Sequence, residues 1–167
     1  MRPIRRATWP GNRDSPLLCF VGPDLPLNVH FAIGNFIRDA LMADAITIGG
    51  DGTPLRTYLD QSDLAHWLFT LLEQGRPGEA YNVGSDEVIS IADLAYLVRD
   101  ILAPEKPVAI LGRADPSAAR NRYVPNIRKA HQELGLNVTI PLAEAIRRSG
   151  EAHQQKATAK PSWRRQG

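Results

Sequence analysis

Two arginines are the side chains of this sequence best suited to chemistry on a charged ligand. Arg56 follows a glycine-rich stretch, Gly49-Gly50-Asp51-Gly52-Thr53-Pro54-Leu55-Arg56, in a short extended segment just ahead of a helix. A guanidinium is planar and always charged, and it offers paired donors that match two oxygens of a phosphate. Phosphate binding is therefore one role for Arg56; a surface ion pair with Asp51 or Asp60 is the other. Arg113 sits in Leu111-Gly112-Arg113-Ala114-Asp115-Pro116, beyond a strand and inside a polar loop, where binding residues commonly lie. Two such arginines, brought together from separate segments, would grip one diphosphate. Arg120 and Arg122 in the same loop compete with Arg113 for that role, and all of them also read as solvated surface charges.

Other groupings carry no chemistry. Gly49, Gly50 and Gly52 follow a strand but do not open a helix, so they fail as a dinucleotide-binding G-x-G-x-x-G turn. His30, His66, His131 and His153 lack metal-site spacing, and no metal ligand set is expected. Ser90 stands in a helix-cap context with no glycine elbow, which removes a serine nucleophile. The single cysteine, Cys19, excludes an internal disulfide and lies in an apolar run as a small hydrophobe. A reducing, cytoplasmic location fits that usage.

The elements that position these arginines follow from apolar periodicity and its punctuation. Leu17 to Val21 is expected as a short buried strand, and His30 to Met42 as a helix. Ile46 to Ile48 and the Arg56 to Leu59 piece are expected as short extended segments. Asp63 is the expected cap of a helix from Leu64 to Gln74, with Leu64, Trp67, Leu68, Leu71 and Leu72 as its buried stripe and Gly75 as its stop. Glu79 to Val83 is expected as a strand. Ser90 and Asp93 cap the helix Ile91 to Leu102. Val108 to Leu111 is the next strand. Residues 126–134 form a helix ended by Gly135, and Pro141 starts a last one that stops near Gly150.

The chain has 167 residues, 43% hydrophobic and 23% charged, enough for one domain with a core. The net charge of +2 is unevenly spread: residues 1–16 and 151–167 each carry +3 and the body between them −4. Both ends read as disordered basic tails, and the body lacks the clustered basic and aromatic surface of a nucleic-acid binder. No apolar run reaches a membrane span. Short strands alternating with about five helices give an α/β class, with strands too few for an independent doubly wound sheet.

Five features in order resemble the extended short-chain dehydrogenases, the NAD-dependent epimerase/dehydratase family of nucleotide sugars. They are Val21-Gly22-Pro23; Asn35-Phe36-Ile37 on its helix; Gly50-Asp51-Gly52 with Arg56 and Asp63; Tyr81-Asn82-Val83-Gly84; and Gly112-Arg113 with the Leu134-Gly135 helix end. The resemblance covers residues 17–150 and implies the carboxyl-terminal, substrate-binding part of that fold, with most of its Rossmann sheet missing. It implies that Arg56 and Arg113 hold the phosphates of a nucleotide-diphosphate sugar and that Asn35 and Phe36 border the pocket. Asp63 is similar to a structural aspartate at a helix start. Asn126 stands where relatives usually carry aspartate, and asparagine still caps.

The family's NAD chemistry needs a glycine-rich cofactor turn and a tyrosine followed four residues later by lysine. Four residues after Tyr58, Tyr81, Tyr96 and Tyr123 stand Ser62, Ser85, Asp100 and Ile127. The resemblance therefore implies a truncated epimerase or 4,6-dehydratase-like chain with no catalytic residues, no NAD bound by this chain alone, and weak sugar-nucleotide binding in isolation. The alternatives are a subunit that completes a site with a separate Rossmann chain, or a non-catalytic sugar-nucleotide-binding module. Family members often dimerise.

Overall fold

In the computed structural model the described residues are 19–27, 31–115, 119 and 121–158. The expected amino-terminal tail, Leu17, Leu18 and residues 159–167 lie outside them, as do His30 and Arg120. The elements are β1 (Phe20–Val21), α1 (Ala32–Met42), β2 (Ile46–Ile48), β3 (Leu55–Arg56), β4 (Leu59–Asp60), α2 (Gln61–Gln74), β5 (Ile89–Ser90), α3 (Ile91–Leu102), β6 (Val108–Ile110), α4 (Arg128–Leu134) and α5 (Leu142–Thr158). The α/β class and five helices are as expected.

Among the described residues the strands pair as three two-stranded sheets. β1 pairs in parallel with β4, Phe20 opposite Leu59, so β1 has a partner within the chain. β2 pairs in parallel with β6, Ile48 opposite Ile110. β3 pairs antiparallel with β5, Leu55 opposite Ser90. The expected Arg56–Leu59 piece is thus two strands in two sheets, with the chain bending at Thr57-Tyr58.

The main core lies where α1, α3 and α5 pack on one another. Ile33, Phe36, Ile37 and Ala40 of α1 are buried at helical spacing, against Leu94, Ala95 and Val98 of α3 and Ala145 and Ile146 of α5. Ser90 caps α3: its hydroxyl oxygen accepts from the Asp93 amide at 3.0 Å, while the hydroxyl donates to the Asp93 carboxylate at 2.6 Å. Lys106 donates to the Ala40 carbonyl at 2.7 Å, placing a cation at the carbonyl end of α1. A second cluster gathers Trp67, Ile127, Ala130 and Leu136 beneath α2 and α4.

Four expectations are corrected. Asp60, not Asp63, caps α2, accepting from the Ser62 amide at 2.7 Å, so the helix begins at Gln61. Asp63 lies inside the first turn because its buried carboxylate is committed elsewhere, accepting from the amides of Thr139 at 2.8 Å and Ile140 at 3.0 Å. Only part of the α2 stripe is covered: Trp67 is buried, but Leu68 is 52% and Leu72 81% exposed, and Phe69 beside them 66%. Trp67 faces the second cluster, and Leu68 and Leu72 lie about 100° and about 140° around the helix from it.

Glu79–Val83 is not a strand. Side-chain bonds to α4 and the residues before it fix it instead: Lys129 to Glu79 at 2.7 Å and the Ala80 carbonyl at 3.0 Å, Tyr81 to Glu133 at 2.8 Å, and Asn82 to the Asn126 carbonyl at 2.9 Å. Finally, α5 runs past Gly150 to Thr158, so residues 151–158 are helix and not tail. Gly150 is buried against Leu102, Ser149 donates to the Gly22 carbonyl at 2.9 Å, and Lys156 donates to the Pro23 carbonyl at 3.0 Å and Asp24 at 2.9 Å. Those contacts outweigh the helix-breaking preference of one glycine, worth about 1 kcal/mol.

Candidate functional site

Arg56 ends β3, and its geometry is set by the loop that returns from β6. The Leu55 amide donates to the Asn121 carbonyl at 2.8 Å and the Tyr123 amide to the Leu55 carbonyl at 3.1 Å, which pins residues 121–123 alongside β3. Arg56 Nη1 donates to the Leu55 carbonyl at 2.8 Å, to Asn121 Oδ1 at 3.2 Å and to the Asn121 carbonyl at 3.3 Å. One edge of the guanidinium is thereby held. No ion pair with a carboxylate engages Arg56 among the described residues. The two aspartates that could have paired with it are directed elsewhere: Asp51 accepts from the Thr53 amide at 3.0 Å and its hydroxyl at 2.7 Å, and Asp60 caps α2.

Arg113 is exposed just after β6. The Leu111 amide donates to the Ile48 carbonyl at 2.9 Å and the Gly112 amide to the Gly50 carbonyl at 3.1 Å, so the loop leaves the sheet directly against the Gly49–Gly52 turn. Gly112 is there for space: a Cβ on it would stand 2.4 Å from the Gly50 carbonyl carbon. Gly52 has φ +76°, a conformation that glycine adopts without strain, and its carbonyl accepts from the Ala92 amide at 2.9 Å. The loop that begins at Arg113 and ends at Asn121 is therefore tied at both ends to the short segment from Gly50 to Leu55. That brings Arg113 and Arg56 to the two ends of one segment. No direct bond joins them among the described residues.

The other expected site residues lie on α1. Phe36 is 3% exposed and belongs to the core. Asn35 is half-buried, and its side-chain oxygen accepts from Arg38 Nη1 at 3.1 Å. Asn126 is not the cap of α4, whose N-cap is Ile127; it lies one residue earlier, and its side chain accepts from the Arg128 amide at 3.1 Å. Asn121, which holds Arg56, gives no signal in the sequence: an asparagine among loop arginines has no periodicity or cap context to single it out.

Beside Arg56 an apolar cavity of about 170 Å³ opens between β1, the Leu25-Pro26 loop and the start of α1. Cys19 and Tyr58 line it. Burial pushes the Cys19 thiol upward, and burial followed by the neighbouring thiol pushes the Tyr58 hydroxyl upward; the Arg56 charge pulls against both. At the far side of β4, Asp60 Oδ2 is buried without a hydrogen bond, with Arg148 Nη1 of α5 at 3.8 Å. Among the described residues no group of three or more His, Cys, Asp and Glu could hold a metal ion, and no helix is long and apolar enough to cross a membrane.

A family model for the NAD dependent epimerase/dehydratase family matches residues 20–84, the stretch from β1 through α2 to the end of the Tyr81–Gly84 segment. Over those residues the chain is similar to that family. UDP-glucuronic acid decarboxylase 1 of Danio rerio is 30% identical over 128 residues, which cover 77% of this chain and 30% of the relative. Among solved structures, UDP-glucose 4-epimerase of Thermotoga maritima with UDP-glucose has a TM-score of 0.73 at 19% identity, covering 83% of this chain and 44% of that one. The dTDP-glucose 4,6-dehydratase of Bacillus anthracis in complex with NAD has a TM-score of 0.71 at 18% identity, covering 83% and 43%. The chain thus spans about a third of the length of its curated relatives and under half of these structures. Its fold is that of part of an extended short-chain dehydrogenase.

The Gly49–Gly52 turn does not fit a dinucleotide. It leads from β2 into β3, whereas a pyrophosphate is held where a glycine turn opens a helix and directs amides at the anion.

Proposed function

We propose that this chain supplies the nucleotide-sugar-binding part of an NAD-dependent sugar-nucleotide enzyme, with Arg56 and Arg113 contacting the diphosphate and no oxidation or reduction of its own. One observation carries the reading. The Arg56 guanidinium is oriented by Leu55 and Asn121 through a single nitrogen, free of any carboxylate among the described residues. A surface arginine needs no such orientation, whereas an anion-binding one gains from losing less side-chain freedom when the ligand arrives. The family match and the nucleotide sugars in the names of its relatives support the ligand class.

Asn35 and Phe36 would act on the pocket through α1. Phe36 anchors the helix in the core, and Asn35 accepts from Arg38 one turn further along it. Hydride transfer needs a proton-shuttling tyrosine beside a lysine, and these 167 residues hold no tyrosine with a lysine four positions on. The chain alone is expected to leave a sugar nucleotide unconverted when given NAD. The curated relatives point to a UDP-sugar, and a 4,6-dehydratase-like enzyme is the chemistry we favour for the whole site.

Calorimetric titration with UDP tests the reading. Arg56→Ala should weaken binding at least about tenfold, the loss of one charge-assisted contact of roughly 1.5 kcal/mol or more. Equal heats for wild type and variant would remove the phosphate contact.

A second reading has its own observation. The outward face of α2 presents Leu68, Phe69 and Leu72 to solvent, an apolar patch of the kind that marks an interaction surface. A separate cofactor-binding chain would cover that face and complete the site. On this reading, conversion of a UDP-sugar appears only when a second chain carrying the glycine-rich turn and the Tyr-x-x-x-Lys pair is added, and Phe69→Lys abolishes it.

A further inference from the structure

The outward face of α2 has a pattern of its own. Asp63, Trp67 and Thr70 are buried, while Ala65, Leu68, Phe69 and Leu72 lie exposed on the opposite side at spacings of three and four. That is an apolar stripe where a helix buried on its other face normally carries polar residues. His66 and Glu73 border it. They are seven residues apart, so they sit about 20° from each other around the helix, on one flank of the stripe, and about two turns apart along it. At that distance they cannot touch, and neither side chain has a hydrogen-bond or ion-pair partner among the described residues.

We propose that the stripe is an interface with a second copy of this chain, in which two α2 helices pack antiparallel about a two-fold axis passing between Leu68 and Phe69. Such an axis reverses the helix direction and keeps each flank on its own side. Ala65 then lies against Leu72 of the second copy, Leu68 against Leu68 and Phe69 against Phe69. On the charged flank His66 comes beside Glu73 of the second copy, and the symmetry makes that contact twice. An imidazole N–H donates to a carboxylate in either protonation state. A parallel pairing would carry the two charged flanks to opposite sides of the interface, beyond each other's reach. A partner of another sequence would have to supply both charges itself. This chain already holds them where the two-fold needs them, and that self-complementarity selects a second copy as the occupant. The helix has 14 residues and is about 21 Å long, so one helix from each copy buries less than the ~800 Å² per partner of a standard complex, and the dimer separates on dilution. The pairing uses neither Arg56 nor Arg113 and stands apart from the diphosphate assignment. The cofactor-binding chain of the second reading would compete for the same face.

Sedimentation equilibrium of the full chain over a range of concentrations tests this, with far-ultraviolet circular dichroism to show that each variant is folded. The expected result is a monomer–dimer equilibrium. Phe69→Lys should raise the dimer dissociation constant at least about tenfold. His66→Glu brings two carboxylates together at both copies of the charged contact and should raise it about threefold or more. Adding Glu73→Lys to His66→Glu restores opposite charges and should return the constant to within about twofold of wild type. All three positions are exposed, so these changes leave the core of the chain intact. A chain that stays monomeric at its highest soluble concentration overturns the proposal and leaves the face to a different partner. Association that Phe69→Lys weakens but that ignores the charge variants overturns the two-fold pairing, as does growth into larger oligomers with no dimer step.

Discussion

Replacing Asp63 by alanine should destabilise the whole domain, by an amount that follows from its surroundings. Asp63 is 3% exposed, and its carboxylate accepts from the Thr139 amide at 2.8 Å, the Ile140 amide at 3.0 Å and the Thr139 hydroxyl. Hydrogen bonds to a charged acceptor contribute about 1.5–3 kcal/mol each, and a buried donor left without a partner loses a similar amount. Thr139 is exposed, so its donors can turn to water when the carboxylate is gone. The Ile140 amide is half-buried and recovers less. The carboxylate also sits in the first turn of α2, where a negative charge gains about 0.3–1 kcal/mol from the helix end. Together these give a loss of about 2–4 kcal/mol, and in a protein of this size that lowers the melting temperature by roughly 5–15 °C. Urea unfolding followed by far-ultraviolet circular dichroism measures it, with Thr139→Val as the control that removes one hydroxyl and should cost about 1 kcal/mol. A loss below about 1 kcal/mol for Asp63→Ala would refute the anchoring role.

Gly112→Ala should drive the loop off the glycine turn, because the new methyl meets the Gly50 and Asp51 backbone at 2.4–2.6 Å with no flexible side chain to yield; UDP titration should show weaker binding with the main transition in urea largely kept. Ser90→Ala should lower stability by about 1 kcal/mol through loss of the α3 cap, read from the urea midpoint. The end of α5 should loosen in acid. Hydrogen bonding and charge from Lys156, near the end of α5, lower the Asp24 carboxyl. A depressed carboxylate contributes stability that is complete above its ordinary value, 3.8 for Asp24, and that is lost as pH falls through the lower folded value. Protection of the amides at residues 151–158 against exchange, relative to the intrinsic rate at each pH, should therefore fall below about pH 4 ahead of protection in α1 and α3, and a uniform loss across the three helices would contradict it.

Helix positions are legible from the sequence where one local rule acts without competition. The α3 helix begins and ends as expected because Ser90, Asp93 and the Leu94–Val98 spacing all agree. The misplaced ends share one cause, a contact distant in sequence. Asp63 looks like a cap until Thr139 and Ile140 take its carboxylate, and Asp60 then caps three residues earlier. Gly150 looks like a stop until Leu102 packs on it. Glu79–Val83 has a strand's composition, but its partners are the side chains of Lys129, Glu133 and the Asn126 carbonyl. In the candidate site, Arg56 is visible as a charged residue after a glycine run. Asn121, 65 positions away, becomes meaningful only once the chain has folded back along β3.

The three small sheets explain why the Arg56 guanidinium and an apolar cavity lie on either side of one bend. Arg56 and Leu59 are three residues apart, yet β3 pairs antiparallel with β5 and β4 pairs in parallel with β1. The chain must change sheets between them, and Thr57-Tyr58 is where it turns. Tyr58 faces the apolar space under β1, and Arg56 faces the returning loop at Asn121. A continuous strand from Leu55 to Asp60 would keep Arg56 and Tyr58 on one face in one sheet, and the loop could not reach the first while the cavity enclosed the second. The bend is therefore what separates a polar edge from an apolar pocket. Its buried Thr57 and Tyr58 are the positions at which a change of sequence would move both at once.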